Sequence, residues 1–99
     1  MTTTPREEYV ARLKAQLDRW NAEAAQWEAR AAVAKSDARA KYGAQLDAFH
    51  AWREEARYTL RLLESASASA WKDLRNGADD VWDRMRDAMN AARTHFEKS

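Results

Sequence analysis

Residues 64–82, ESASASAWKDLRNGADDVW, place three serines in alternation with alanine before one tryptophan, and a second tryptophan follows eleven residues later. Serine is a modest helix former and a favoured N-cap, so the segment 65–69 is the first candidate for a hinge between two helices. Asn76 with Gly77 is the second candidate, as a helix C-terminus. Whether the chain turns here decides whether it folds on itself or presents a long apolar face to a partner.

The apolar residues on both sides of this segment recur every eleven positions. Three interleaved series contain Phe49, Leu60, Trp71 and Trp82; Trp52, Leu63, Leu74, Met85 and Phe96; and Ala56, Ser67, Ala78 and Met89. An eleven-residue repeat corresponds to about 3.67 residues per turn, which gives a nearly straight stripe along a helix. The stripe keeps its phase through the serines, so a turn there must fold one apolar face against itself.

The N-terminal third has a heptad pattern instead. Thr4, Pro5 and Glu7 fit a capping box, which predicts that a helix begins at about Pro5. From there the apolar seam alternates steps of three and four residues, through Val10, Leu13, Leu17, Trp20, Ala24, Trp27, Ala31, Ala34 and Ala38. A seam of this kind over about four heptads is typical of a coiled coil.

The pattern changes phase between residues 38 and 43. The seam continues with two steps of four to Tyr42 and Leu46, which is a stutter that a continuous helix can absorb. Ser36 with Asp37, or Gly43, could instead mark a turn. We therefore predict an N-terminal cap at 1–4, a long helix at 5–64 with a stutter near 38–43, a hinge at 65–69 and a second amphipathic helix at 70–97.

These elements predict an all-α fold. The two architectures that fit are a coiled-coil helical hairpin, with a long first helix and a shorter second one, and a three-segment antiparallel bundle. In the hairpin the second helix covers only half of the first, so another chain must cover the rest and an oligomer is expected. A turn near Ser36 would give three nearly equal segments that cover one another.

The composition fits one small helical domain. The 99 residues include 22 alanines and five tryptophans, with 33% charged residues and a net charge of +1. Cysteine is absent from the sequence, which excludes disulfides and cysteine-ligated zinc. Because no apolar run approaches the ~20 residues of a transmembrane helix, we expect a cytoplasmic protein.

Catalytic, cofactor-binding and metal-binding residues are not predicted. Asp47 and His50 have a D-x-x-H spacing, but a di-iron bundle needs a second copy and further inward carboxylates. A surface histidine is the favoured interpretation. No nucleophile elbow and no glycine-rich phosphate loop occur, so we predict that the protein is not an enzyme and has no cofactor.

Three arginines, Arg53, Arg57 and Arg61, form a short basic ridge at helical spacing. Such a ridge could contact phosphates, but Glu54 and Glu55 neutralise it, and proteins that bind duplex DNA usually carry a large positive excess. The pattern favours an exposed polar helix face over a nucleic-acid site.

The larger apolar side chains form a predicted association seam. Tryptophans in this seam fit either a helical core or the apolar face of a helix lying on lipid, and the heptads favour the core. The seam consists of Val10, Leu13, Leu17, Trp20, Trp27, Phe49, Trp52, Leu60, Leu63, Trp71, Leu74, Val81, Trp82, Met85, Met89 and Phe96.

Two stretches, EEYVARLKAQLDRWNAEAAQWEARA at 7–31 and AWKDLRNGADDVWDRMRDAM at 70–89, resemble a group of small bacterial coiled-coil proteins described as stress-response or hypothetical proteins. The resemblance implies a soluble, cytoplasmic, non-enzymatic helical protein linked to stress tolerance. The eleven-residue spacing is more loosely similar to apolipoprotein-like and phasin-like helices.

Association is the predicted function. The partners expected are a second copy of the chain in a homo-oligomer or another protein, since burial of apolar surface is the dominant favourable term in association. The alternative is an amphipathic helical coat on a membrane, lipid or granule surface.

Overall fold

A computed structural model describes residues 4–97, which form three α-helices of nearly equal length. Helix α1 spans Pro5–Val33, α2 spans Ser36–Ser65 and α3 spans Ala68–Glu97. No strand occurs in this range. The predicted all-α class is confirmed, while residues 1–3 of the predicted cap at 1–4 lie outside the described residues.

Helix α1 begins with a side-chain cap. The Oγ1 atom of Thr4 accepts a hydrogen bond of 3.1 Å from the backbone amide of Glu7, and Pro5 occupies the first turn. The proline has no amide hydrogen to leave unpaired there, and the threonine satisfies one of the amides that a helix start leaves free.

The first chain reversal divides the predicted 5–64 helix in two. Ala34 and Lys35 are extended, with ψ of 156° and 160°, so α1 ends at Val33 and the stutter region lies inside α2. The guanidinium of Arg39 donates a 3.1 Å hydrogen bond to the Ala34 carbonyl and closes the turn. Reversal lets the apolar faces of α1 and α2 bury each other within one chain, which a continuous helix would leave to a partner.

The second reversal lies at residues 66–67, inside the serine segment. Ala66 is extended, and the Oγ atom of Ser67 accepts a 3.3 Å hydrogen bond from the amide of Ala70. Helix α3 therefore begins at Ala68, two residues before the predicted start of the second helix. Gly77, the other candidate for a break, lies in the interior of α3.

Successive helices run in opposite directions. Lys14 near the start of α1 pairs with Glu64 at the end of α2, at 2.6 Å. Trp27 near the end of α1 stacks on Phe96 at the end of α3, with ring centroids 4.8 Å apart. The three helices thus lie side by side, in a body with extents of 51 × 26 × 18 Å.

The core combines small and large side chains. Ala24, Ala56 and Ala78 are at most 1% exposed, and their size lets neighbouring backbones approach closely. Leu63 and Met85 are 0% exposed and belong to the same core.

Candidate functional site

All sixteen residues of the predicted seam lie in, or pack against, one hydrophobic core. The eleven buried ones are Leu13, Leu17, Trp20, Trp27, Phe49, Leu60, Leu63, Trp82, Met85, Met89 and Phe96. The five partly buried ones are Val10, Trp52, Trp71, Leu74 and Val81. Because one chain already buries most of the seam, a folded chain can offer a partner only the partly exposed side chains.

Trp71 is covered from the α1 side. The Tyr9 ring meets it edge-on at 5.8 Å between centroids, and the Arg6 guanidinium lies over it at 4.6 Å. The Tyr9 hydroxyl donates a hydrogen bond to the Asp79 carboxylate. Burial, and then this hydrogen bond, raises the pKa of the Tyr9 hydroxyl above its usual value. These contacts belong to the α1–α3 junction and leave little of Trp71 for a partner.

A shallow cleft of about 500 Å³ follows this junction between α1 and α3. Its charged lining includes Arg12, Arg19 and Arg86, together with Asp79 and Asp83. Arg86 already pairs with Asp83 at 3.1 Å. With both signs of charge on its walls, the cleft has no preference for an anion or a cation.

Trp52 and Val81 border a groove of about 420 Å³ between α2 and α3, on the side away from α1. Helical spacing places Trp52 about 120° around α2 from Glu64, which pairs with α1, and Val81 about 120° around α3 from Arg75. The exposed Ala51 also lines the groove, together with the charged residues Glu55, Asp80 and Arg84.

Two further apolar side chains lie beside this groove on the outer side of α2, where Tyr58 is seven residues after the groove residue Ala51. Tyr58 is 52% exposed, and Leu62, one turn further, is partly exposed. Residues four apart on a helix share one face. We call the set of Trp52, Tyr58, Leu62 and Val81 the α2/α3 face.

The charges around the α2/α3 face are balanced. Arg84 pairs with Asp80 at 3.4 Å, and Arg57 pairs with Glu54 at 3.1 Å. Helix α2 contains five acidic and five basic residues, and α3 contains six acidic and five basic residues. An apolar strip bordered by both signs resembles a protein-binding surface, with a polar rim around apolar anchors.

The predicted arginine ridge is partly engaged by the fold. Arg53 is half-buried, with its guanidinium 5.7 Å from the centre of the Phe49 ring, and Arg57 forms its ion pair within α2. Arg61 is exposed and makes neither kind of contact. The ridge therefore does not form a row of three guanidinium groups that could follow a phosphate backbone.

His50 faces α1 instead of the carboxylates on its own helix. Its Nε2 atom lies 2.9 Å from Oε1 of Glu28. Within residues 4–97, no cluster of three or more histidine and carboxylate side chains is placed to hold a metal ion. None of the helices in this range is long and apolar enough to cross a bilayer.

Sequence reasoning did not identify Tyr58, Leu62 or Arg6. The i, i+4 spacing of Tyr58 and Leu62 was a usable signal, but both fall outside the eleven-residue series. Arg6 donates hydrogen bonds to the carbonyls of Leu63 and Ala66, which lie 57 and 60 residues away. No local pattern reveals a contact of that range.

No protein family, curated protein or solved structure matches this chain. The resemblance of residues 7–31 and 70–89 to small bacterial coiled-coil proteins therefore stays a prediction.

Proposed function

We propose that the protein works by binding another protein, either a second copy or a helical partner, through the α2/α3 face, and that it is not an enzyme. The observation that carries the proposal is the concentration of partly exposed apolar side chains on this face. Trp52 and Val81 border its groove and Tyr58 is 52% exposed. A cytoplasmic location and a role in stress tolerance belong to the same proposal, through the resemblance alone.

The groove suits an amphipathic helix. A helix laid along α2 and α3 would complete a four-helix arrangement, in which apolar side chains from the partner enter the space beside Trp52 and Val81. Tryptophan and tyrosine are the residues that most often dominate the energy of such interfaces. The ion pairs at the rim would align the partner while contributing little affinity.

The folding unit in this proposal is a single chain. Closure of three helices around the seam removes the uncovered half-helix that would require an oligomer. Self-association then takes place between folded chains, and it depends on concentration and on the α2/α3 face.

The test places a charge on this face and, as a matched control, on the opposite side of the molecule. Tyr58→Glu and Ala29→Glu each add one carboxylate at an exposed position. Sedimentation velocity from micromolar to millimolar concentration should show association of the wild type and of Ala29→Glu, with Tyr58→Glu at least tenfold weaker. If Tyr58→Glu and Ala29→Glu associate equally strongly, the α2/α3 face has no role in self-association.

Binding to a different protein needs a second readout. A photoreactive side chain at position 58 should form a discrete adduct in cells of the source type, and the same group at position 29 should not. Adducts at both positions in equal amounts, or at neither, would argue against a protein partner on this face.

A lipid coat is the second candidate, supported by the continuous apolar faces of the three helices. Lipid contact through the seam requires the helices to separate, because Trp20, Trp27 and Trp82 are each at most 5% exposed in the closed fold. Titration with anionic vesicles that carry brominated acyl chains would then quench tryptophan emission and change its spectrum. An unchanged spectrum would exclude this mode.

A further inference from the structure

The turn between α2 and α3 contains no residue that prevents a continuous helix. It consists of Ala66 and Ser67, and neither glycine nor proline is present. Ala66 has φ of −67° and ψ of 139°, so its φ is already helical and only ψ would have to rotate. Nowhere in residues 4–97 is φ positive. The bend is therefore held by contacts, of which the Ser67 cap on the Ala70 amide is the local one.

Arg6 supplies further contacts from α1. Its Nη2 atom donates hydrogen bonds of 2.8 Å to the Leu63 carbonyl and 2.7 Å to the Ala66 carbonyl. In a continuous helix these carbonyls would accept from the amides of residues 67 and 70. The Leu63 carbonyl also accepts a 3.4 Å bond from the Ala66 amide, so Arg6 is its second donor. At the Ala66 carbonyl Arg6 replaces the helical bond that the bend removes, and it therefore stabilises the bent form specifically.

The apolar stripe is in register across the same turn. Leu63 and Leu74 are eleven residues apart, as are Leu60 and Trp71, and all four belong to or pack against the core. If residues 66–67 become helical, the apolar side of α3 stays in line with that of α2. A straightened chain would then expose one long apolar face on a single side.

We propose that the chain exchanges α3 with a second copy of itself. Residues 36–97 become one helix of about 93 Å at 1.5 Å per residue. Two such helices pair in opposite directions, and each α3 fills the place of the other copy's α3 beside α1 and α2. The exchanged dimer reuses the contacts of the closed chain and differs at the turn, which makes exchange a low-cost route to association. It goes beyond the proposed function because it uses the core and not the α2/α3 face.

Two substitutions shift the equilibrium between the bent chain and the continuous helix in opposite directions. Ala68→Pro places proline at the first position of α3, which the bent form accepts and a continuous helix does not. Arg6→Ala removes both hydrogen bonds to the turn. Arg12→Ala is the matched control, because it removes an exposed guanidinium from the same helix away from the turn.

The experiment refolds each full-length chain from denaturant at ~1 mM and then measures mass by sedimentation and maximum dimension by small-angle scattering. Arg6→Ala should form a dimer of about 93 Å, with a dissociation constant at least tenfold below that of the wild type and of Arg12→Ala. The double variant Arg6→Ala with Ala68→Pro should stay monomeric, with the 51 Å length of the closed chain.

The proposed exchange of α3 is wrong if Arg6→Ala stays monomeric at this concentration. It is also wrong if the double variant Arg6→Ala with Ala68→Pro still forms the long dimer. A dimer that keeps a length near 51 Å and is lost in Tyr58→Glu would indicate docking through the α2/α3 face instead, so the two proposals fail separately. If Arg6→Ala does not fold, Ser67→Ala removes the α3 cap and carries the same expectations.

Discussion

The indole Nε1 of Trp82 donates a buried hydrogen bond of 3.2 Å to the backbone carbonyl of Leu13, and so joins α3 to α1. These two helices approach each other less closely than either approaches α2. A large side chain is needed to fill the space between α1 and α3. Trp82, only 3% exposed, fills this space and also gives its indole nitrogen a hydrogen-bond acceptor.

Replacement of this tryptophan should therefore be costly. Trp82→Phe removes the donor and leaves unfilled volume, and we expect the free energy of unfolding to fall by about 1–3 kcal/mol. Trp52→Phe, at a partly exposed position, should cost less than about 1 kcal/mol. Urea denaturation measures both losses, provided that the m-value does not change. Equal losses of unfolding free energy at the two positions would show that the hydrogen bond from Trp82 to Leu13 contributes nothing specific.

Tyr9 gives the fold a dependence on alkaline pH. Its pKa is raised in the folded chain by burial and by the bond to Asp79, so folding favours the neutral phenol. The stability this contributes is complete below the usual tyrosine pKa, about 10, and is lost as pH rises beyond it. Tyr9→Phe should lose less unfolding free energy than the wild type between pH 8 and 11. Tyr58→Phe, at an exposed position, should keep the wild-type dependence of unfolding free energy on pH. If Tyr9→Phe shows that same dependence, Tyr9 does not have this role.

The sequence predicted the buried faces well because periodicity reports directly which side of a helix is apolar. Leu63 and Met85, 22 residues apart in one eleven-residue series, are both completely buried. Periodicity does not decide the first turn, because the pattern fits both a turn at Ser36 with Asp37 and a stutter in one continuous helix. Ala34 and Lys35 are compatible with helix, and their extended conformation depends on burial of α1 against α2, which is a non-local effect.

Substitution of the two helix-interior glycines should stabilise the protein. Gly43 lies in α2 and Gly77 in α3, and a Cβ atom at either would meet nothing within 4 Å. Because glycine loses more backbone entropy on folding than alanine, each Gly→Ala change should add about 0.5–1 kcal/mol. The reverse change, Ala48→Gly at an exposed position in α2, should cost a similar amount. Thermal and urea unfolding would measure both, and a loss on Gly77→Ala would reveal a constraint at that site.

Two of the ion pairs that α1 makes with the other helices should differ in strength. Arg93 binds Glu23 with two parallel hydrogen bonds, of 2.7 and 3.1 Å, and the side chains are 39% and 29% exposed. Lys14 makes a single contact with Glu64, and those side chains are 53% and 46% exposed. Paired bonds in a partly shielded site hold their geometry better and are less screened, so a double-mutant cycle should give about 1 kcal/mol for Glu23–Arg93 and under about 0.5 kcal/mol for Lys14–Glu64. Each cycle compares the wild type, the two single variants and the double variant, with Gln in place of the glutamate and Met in place of the basic partner. Urea unfolding at low and high salt measures the free energy of unfolding of each. If the coupling at Lys14–Glu64 equals or exceeds that at Glu23–Arg93, bidentate geometry does not decide the strength of these pairs.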